Sequence, residues 1–387
     1  MANGANDLVA KAEQVAALAR ERAHEGEVAG QLAPDLVEAM RDAGLFSMLV
    51  PRELGGPETD VAAMVKAIEA VSSGDGAAGW CVMISATTGS AACVLPREGA
   101  EEIFGDLRSA AGGVVMPPAR AVRVEGGYRV SGRWAFGSGG PHASWMLGGA
   151  IVHGADGPEM LAENVPHLRM MFFPREAITF HPTWQVSGLR GTGSNDFEVN
   201  DLFVPERHAT SRAAGAQWAD GPIFQMPMFG LLAVGVASVA LGIGRAAIEE
   251  LKTLAVGKTP TGSRRPLAER GAAQSGLAEA EALVRSGRAF MFETLDDVWA
   301  RLNAGERMNQ DDRMLMRLSA TTAALNCARA VDICYNLGGA TSIYEKSALQ
   351  RQFRDIHTLT QHVMVGQPTL EVAGRIMLGV PTDTSMF

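Results

Sequence analysis

The chain is predicted to fold as an α+β protein, mostly α: an N-terminal helical domain, a middle β domain of barrel or sandwich form, and a C-terminal four-helix bundle. Three observations predict this. Apolar residues recur at helical spacing up to about residue 107, short apolar and β-branched runs separated by glycine fill 110–205, and long helical patterns with short connections return after Pro222. The corresponding domains are 1–107, 108–218 and 219–387.

In the first domain Leu8, Val15 and Leu18 keep helical spacing among Lys11, Glu13 and Arg20. Pro34 suits a helix first turn, and Gly44 closes the helix it opens. A further helix covers 61–71, and the apolar stretch 80–88 reads as fully buried. In the second domain, strands 121–125 and 128–132 flank Gly126-Gly127, a two-residue hairpin signal. Strands 145–152, 168–173 and 197–204 follow, and 153–167, with Gly154, Gly157 and Pro158, is a surface excursion. Helices over 229–256, 267–303, 309–336 and 347–378 form an antiparallel bundle.

Composition narrows the function. With 47% hydrophobic and 20% charged residues, the 387-residue chain reads as a soluble enzyme, and its net charge of −9 argues against a nucleic-acid partner. Cys81, Cys93, Cys327 and Cys334 have neither zinc-ligand nor C-x-x-C spacing, so buried thiols in a reducing cytoplasm are expected. The eight histidines show no paired metal-ligand spacing, so no metal site is expected. Charges at Lys11, Glu13, Arg20 and Glu21 interrupt any signal peptide. Segment 221–244 is uncharged, but its helical part, 230–244, falls short of the ~20 residues a bilayer needs, so a buried helix and no membrane contact are expected.

Two motifs are decoys. Gly242-x-Gly244-x-x-Ala247 formally fits a dinucleotide fingerprint, yet it lies inside a helical pattern with no strand before it and no acid over 259–268. The chain is therefore expected to lack its own nicotinamide site. Ser138, in Phe136-Gly137-Ser138-Gly139-Gly140, lacks the glycine two residues upstream that a hydrolase elbow needs.

Four motifs in order resemble the acyl-CoA dehydrogenase superfamily across nearly the whole chain. They are Leu36, Met40 and Ala43-Gly44-Leu45-Phe46 leading to Val50-Pro51 and Leu54-Gly55-Gly56; Gly127-Tyr128, Val130, Gly132, Trp134, Phe136 and Ser138-Gly139; Trp184 with Ser187 through Ser194, running to Val204-Pro205-Glu206; and Leu337-Gly338-Gly339 followed by Leu349, Arg351 and Arg354-Asp355. The resemblance implies that family's architecture, with flavin between the β domain and the bundle.

That family's dehydrogenases take a proton beside a thioester carbonyl with a glutamate, placed just after the Arg-Asp motif or on the bundle's first long helix. Here the first location offers His362 or Val363, with no acid between Asp355 and Glu371, and the second, 221–248, has no acid at all. The run from Arg354 through His357 to Gln361-His362, with Ser138-Gly139 after Trp134, resembles instead the branch of two-component flavin-dependent monooxygenases, or hydroxylases. The resemblance implies reduced flavin (FADH2 or FMNH2) from a separate flavin reductase, O2 as co-substrate, and a C4a-hydroperoxyflavin that hydroxylates a small aromatic or heteroaromatic molecule. It also implies a homo-oligomer, a tetramer built as a dimer of dimers.

Site roles follow from the same resemblance. Ser138 matches a hydroxyl that bonds flavin N5 and stabilises the oxygen adduct, against a plain turn serine. Phe136 matches an aromatic lining the flavin, against an ordinary inward strand residue. His362 is assigned substrate acid/base work or proton delivery, against a satisfied polar residue. His357, five residues earlier and on another face of the expected helix, is structural or flavin-facing. Thr192 and Ser194 approach the flavin ring or phosphate, or are plain loop. Arg264, with Arg265 leaving one residue of register open, and Gln274 contact a neighbouring subunit's flavin phosphates; Gly338 and Gly339 allow close backbone approach. Trp80 and Met83 belong to the substrate pocket, and Arg354 and Asp355 form a structural ion pair. Two departures matter. No histidine follows Trp80 over 81–92, where many members of this branch carry one, so a phenol-activating pair loses its support and indole, heteroatom or unactivated substrates stay open. Val114-Val115-Met116-Pro117-Pro118 replaces the dehydrogenases' Thr-Glu-Pro segment. The alternatives are a divergent acyl-CoA dehydrogenase or oxidase with a relocated base, and a non-catalytic flavin-fold binding protein.

Overall fold

Five helices open the computed structural model, which describes residues 2–210 and 216–387. They are α1 (Ala2–Ala29), α2 (Pro34–Asp42), α3 (Val61–Gly74), α4 (Gly76–Gly89) and α5 (Arg97–Phe104). Pro34 stands in the first turn of α2 as expected. Asp60 and Asp75 cap α3 and α4, accepting the backbone N–H of Ala63 and Ala78.

The strands are β1 (Ala111–Val124), β2 (Gly127–Trp134), β3 (Trp145–Gly154), β4 (Gly157–Pro158), β5 (Met160–Ala162), β6 (Val165–Pro166), β7 (Leu168–Pro174), β8 (Thr179–His181) and β9 (Asp196–Pro205). The hairpin turn is Glu125-Gly126, one residue earlier than expected. Gly126 supplies the positive φ of 77°, while Gly127 pairs with Val124. Gly127 is small for another reason: a Cβ there would lie 2.2 Å from the Val204 oxygen on β9. The expected surface excursion over 153–167 contains β4 and the exposed β5–β6 ribbon.

Seven strands make one mixed sheet, in the order β4-β3-β1-β2-β9-β8 with β7 also on β3; β1 and β3 run parallel, and the other pairs antiparallel. The sheet curls around Trp134. This β2 ring lies 5.2 Å from Phe173 on β7 and 4.9 Å from Phe197 on β9, and its Nε1–H donates to the Gly149 oxygen on β3. A flat sheet would keep β7 out of reach of β2.

After residue 216 come α6 (Met228–Gly257), α7 (Gly271–Asn303), α8 (Gln310–Gly338), α9 (Ala348–Leu359) and α10 (Pro368–Met377). The last expected helix, 347–378, is thus two helices. Pro368, which has no amide proton to donate backwards, starts α10 in its first turn, and residues 360–367 form a turn. His362 sits in that turn and not on a helix.

Helix α6 is the centre of the molecule. Its 30 residues match the bundle helix expected over 229–256 and outrun the 230–244 part weighed against a bilayer; by length and apolarity it could cross one, but its apolar window is mostly buried inside the fold. Its glycines serve packing. A Cβ on Gly235 would lie 2.6 Å from Met83 Cγ on α4, and one on Gly242 would lie 2.4 Å from Ser72 Cβ on α3. The fingerprint Gly242-x-Gly244-x-x-Ala247 is therefore a helix-contact surface. One continuous apolar core joins the N-terminal helices to the bundle, the sheet keeps its own around Trp134, and a third cluster including Leu95, Leu147 and Phe172 stitches the sheet to the N-terminal helices. The three parts meet where α4, the strand connections and the end of α9 converge.

Gly242→Ala should destabilise the chain by about 1–3 kcal/mol, the cost of overpacking a close helix contact. Urea denaturation should show a lower midpoint at unchanged slope. An unshifted midpoint would mean that the α3–α6 contact yields freely.

Candidate active site

The turn after β2 brings Ser138 to this junction. Phe136, at φ 66°, and Gly139, at φ 75°, bend the chain so that Ser138 turns inward, 5% exposed, while Phe136 stays 66% exposed. Trp80 Nε1–H, from the first half of α4, donates to Ser138 Oγ at 3.0 Å. Ser138 Oγ lies 2.8 Å from Ser194 Oγ, which lies 2.6 Å from Thr192 Oγ1, and Thr192 donates to the Leu189 oxygen at 2.8 Å. The structure thus joins four of the expected site residues, Trp80, Ser138, Thr192 and Ser194, in one hydrogen-bonded chain.

His362 completes the cluster. Its ring meets the Trp80 indole edge-on, with centroids 5.4 Å apart. Burial and the nearby Arg317 cation push its pKa down to about 4, so the imidazole is neutral at pH 7. Met364 N–H donates to Nδ1 at 3.3 Å, which leaves the ring proton on Nε2. Arg317, buried in α8, donates to the Met364 oxygen at 3.1 Å and to the Met386 oxygen, so one cation holds both the His362 turn and the chain's last residues. Arg317 was not anticipated. A lone charge in Met314-Leu315-Met316-Arg317-Leu318 was the visible signal.

The loop 187–194 hangs from α9. Leu189 N–H donates to Asp355 Oδ1 at 2.6 Å, and Arg354 donates to the Ser187 oxygen at 2.6 Å while pairing with Glu27. Arg354 and Asp355 therefore do not pair with each other: adjacent helical side chains diverge, and each engages a different part of the N-terminal half. Asp355 and Asp75 lie together, and burial lifts them to about 7 and about 6; Asp75 further raises Asp355, Glu27 raises Asp75, and Arg351 pulls both down.

Other expected residues lie apart from this chain. The Phe136 ring sits edge-on to Trp184 at 6.2 Å, and Trp184 Nε1–H donates to the same Leu189 oxygen. Met83 is fully buried against Gly235 and faces no open space. His357 is paired with Asp332 at 2.8 Å and stacks in a row with Phe353 and Tyr335, on the α8 side of α9. Arg264 and Gln274 are exposed around the α6–α7 connection. Lys258 ties that connection to the Gly338 oxygen and to Thr341. Gly338 abuts Leu349 at the start of α9, whereas His362 follows its end; the helix separates them by about 18 Å.

A cavity of about 540 Å3 opens beyond the far end of α4. Its walls include Val94, Val115, Met170, Phe224, Met228 and Leu231, with Ser90, Thr210 and Gln217 as polar points, and none of its described lining residues is charged. Neither Trp80 nor Met83 lines it. Among the described residues no cluster could hold a metal ion, and all four cysteines are free and buried.

Comparison with known proteins agrees with this architecture. Residues 7–103 match the acyl-CoA dehydrogenase N-terminal domain, and residues 234–367 its C-terminal domain. An indole-3-acetate monooxygenase from Pseudomonas putida is 35% identical, covering 93% of this chain and 91% of its own. The chain belongs to the flavin-dependent monooxygenases of the acyl-CoA dehydrogenase superfamily. The oxygenase subunit of a flavin-dependent monooxygenase from Rhodococcus jostii is 27% identical over 89% of this chain and 90% of its own. The structure of XiaF from Streptomyces sp., in complex with FADH2 and glycerol, superposes with a TM-score of 0.89 at 25% identity, over 98% of this chain and 97% of that one.

The residues of this monooxygenase suit a flavin. Phe136 and Trp184 offer an exposed aromatic edge to a planar ring, and Ser138 Oγ offers a polar contact beside it.

The buried acids give a stability test. Because Asp355 is raised above its ordinary 3.8, the fold binds that proton more tightly than the unfolded chain does. Its stabilising share is complete below about pH 4 and is lost as pH rises through about 7. Asp355→Asn keeps an acceptor for Leu189 N–H, so thermal melts from pH 5 to 8 should decline less steeply than for the native chain. Equal slopes would contradict the assignment.

Proposed function

We propose that this monooxygenase takes reduced flavin, FADH2 or FMNH2, from a separate reductase and uses O2 to hydroxylate a small aromatic or heteroaromatic molecule. The observation that carries the reading is the neutral, hydrogen-bonded chain of Trp80, Ser138, Ser194 and Thr192, with His362 packed edge-on to Trp80, beside an exposed aromatic edge. An indole-type or similar apolar aromatic substrate is supported by the relatives' activities.

Bound reduced flavin supplies the activation of O2 and the transfer of one oxygen atom to an electron-rich carbon. Ser138 contributes a hydroxyl contact to the ring edge. His362, neutral and carrying its proton on Nε2, can hold or pass a proton at that nitrogen. Phe136 and Trp184 orient the ring by apolar contact.

An acyl-CoA dehydrogenase with a relocated base has less support. The buried carboxylates nearby, Asp75 and Asp355, each accept a backbone N–H and lie across the loop 187–194 from Ser138. The roles of Arg264, Gln274, Gly338 and Gly339 toward a neighbour's flavin belong to this reading, together with a tetramer working in the cytoplasm. The separation of Gly338 from His362 along α9 supports service to another subunit's site.

With reduced flavin, O2 and indole-type substrates supplied, the product should gain one oxygen atom drawn from O2. Bleaching of bound flavin by an acyl-CoA, with no oxygenated product, would overturn the reading. His362→Ala should lower product formation about 100-fold, a typical general acid–base share, while reduced-flavin affinity holds. Unchanged turnover would remove the role. Ser138→Ala should shift O2 consumption from product toward free hydrogen peroxide; an unchanged ratio would count against the contact.

A further inference from the structure

The hydrogen-bonded chain that includes Ser138 has a fixed direction. At one end the Trp80 indole N–H can only donate, 3.0 Å from Ser138 Oγ. At the other the Leu189 backbone oxygen can only accept, 2.8 Å from Thr192 Oγ1. Two oxygens at that separation repel unless a proton lies between them, so the Thr192 proton is committed to Leu189. Thr192 has none left for Ser194, 2.6 Å away, and Ser194 must donate to it. Ser194 then has none left for Ser138, 2.8 Å away, so Ser138 donates to Ser194. One indole proton and three hydroxyl protons fill the four contacts, and a single ordering satisfies all of them.

Ser138 therefore accepts from Trp80, donates to Ser194, and keeps one lone pair. A hydroxyl held in this way receives an N–H donor and repels a bare acceptor nitrogen. Flavin differs in that respect between its redox states: N5 carries hydrogen in the reduced ring and is an unprotonated acceptor in the oxidised one. We propose that Trp80, Ser194 and Thr192 are positioning residues that lock the Ser138 hydroxyl as an acceptor, so that the site selects reduced over oxidised flavin. The inference rests on the reading above that Ser138 meets the ring edge, and adds to it the source of redox selectivity. Ser138, Ser194 and Thr192 are 5%, 2% and 1% exposed, so water does not replace a bond broken by turning a hydroxyl around. The acceptor end is held as firmly. Leu189 sits at φ 52°, its N–H on Asp355 and its oxygen also receiving Trp184 Nε1–H.

The test is the ratio of dissociation constants for oxidised and reduced flavin, measured anaerobically on the full chain with FAD and FMN. The native protein should bind the reduced form more tightly. Thr192→Val removes the proton sink but leaves both serines, and Ser194→Ala frees the Ser138 proton directly. Each should lower the ratio about tenfold, chiefly by tightening oxidised flavin, since one hydrogen bond of ordinary strength is worth about that factor. Thr192→Ser, which restores the ordering, should restore the native ratio. A side chain that merely supports the fold would weaken both forms together. The polarity inference is overturned if Thr192→Val and Ser194→Ala leave the ratio unchanged while Ser138→Ala alters it. If Ser138→Ala changes the affinity of neither form, the contact between Ser138 and the ring fails first, and the selectivity with it.

Discussion

The hydrogen bond from the Leu189 amide to Asp355 joins α9 to the loop that carries the site's hydroxyls. Leu189 is held at a positive φ that costs a non-glycine residue about 1–2 kcal/mol, and it stays there because its neighbours over-determine it. Arg354 grips the Ser187 oxygen, and Gly188 has no Cβ because one would lie 2.1 Å from the Arg354 oxygen. With the amide so fixed, the Leu189 oxygen points toward Thr192 and Trp184, and the order of hydrogen bonds out to Ser138 follows. The position of α9 is thus transmitted to the site through neutral groups.

Charge is kept to the other side of that loop. Asp75, Asp355, Arg351, Arg354 and Glu27 gather where α1, α4 and α9 meet, while Trp80, Ser138, Ser194, Thr192 and a neutral His362 face one another. Burial, aided by the Arg317 cation outside the cluster, keeps His362 neutral. Such a division suits oxygen chemistry on a flavin, where each proton must be placed by a few uncharged groups and stray water lowers the yield of product. It suits abstraction of a proton beside a thioester poorly, because that reaction needs an ionised carboxylate in reach.

Much of this was legible in the chain itself. Helical spacing, the glycine-marked hairpin and the uncharged small-residue stretch of α6 located the three parts, because each pattern reports a local geometry. Ser138, Thr192, Ser194 and His362 were found through motif resemblance, and three-dimensional packing explains why they belong together. The misreading of the Arg354–Asp355 pair concerns partners far apart in sequence. Arg354 and Asp355 are neighbours, yet they engage Glu27 and Leu189, and no local pattern announces that. The break before Pro368 was written in the sequence but masked by apolar spacing on both sides. His357, on another face of α9 as expected, goes to Asp332, and Met83 fills the space left by Gly235.

The central claim is that a neutral hydroxyl, aimed by its neighbours, meets the edge of a reduced flavin. A crystal structure of the chain soaked anaerobically with reduced FAD or FMN tests it most directly. The account expects flavin N5 within hydrogen-bond distance of Ser138 Oγ, the ring against Phe136 and Trp184, and His362 on the side where substrate and oxygen react. A ring lying elsewhere, or an aspartate or glutamate reaching over it beside a thioester group, would contradict it.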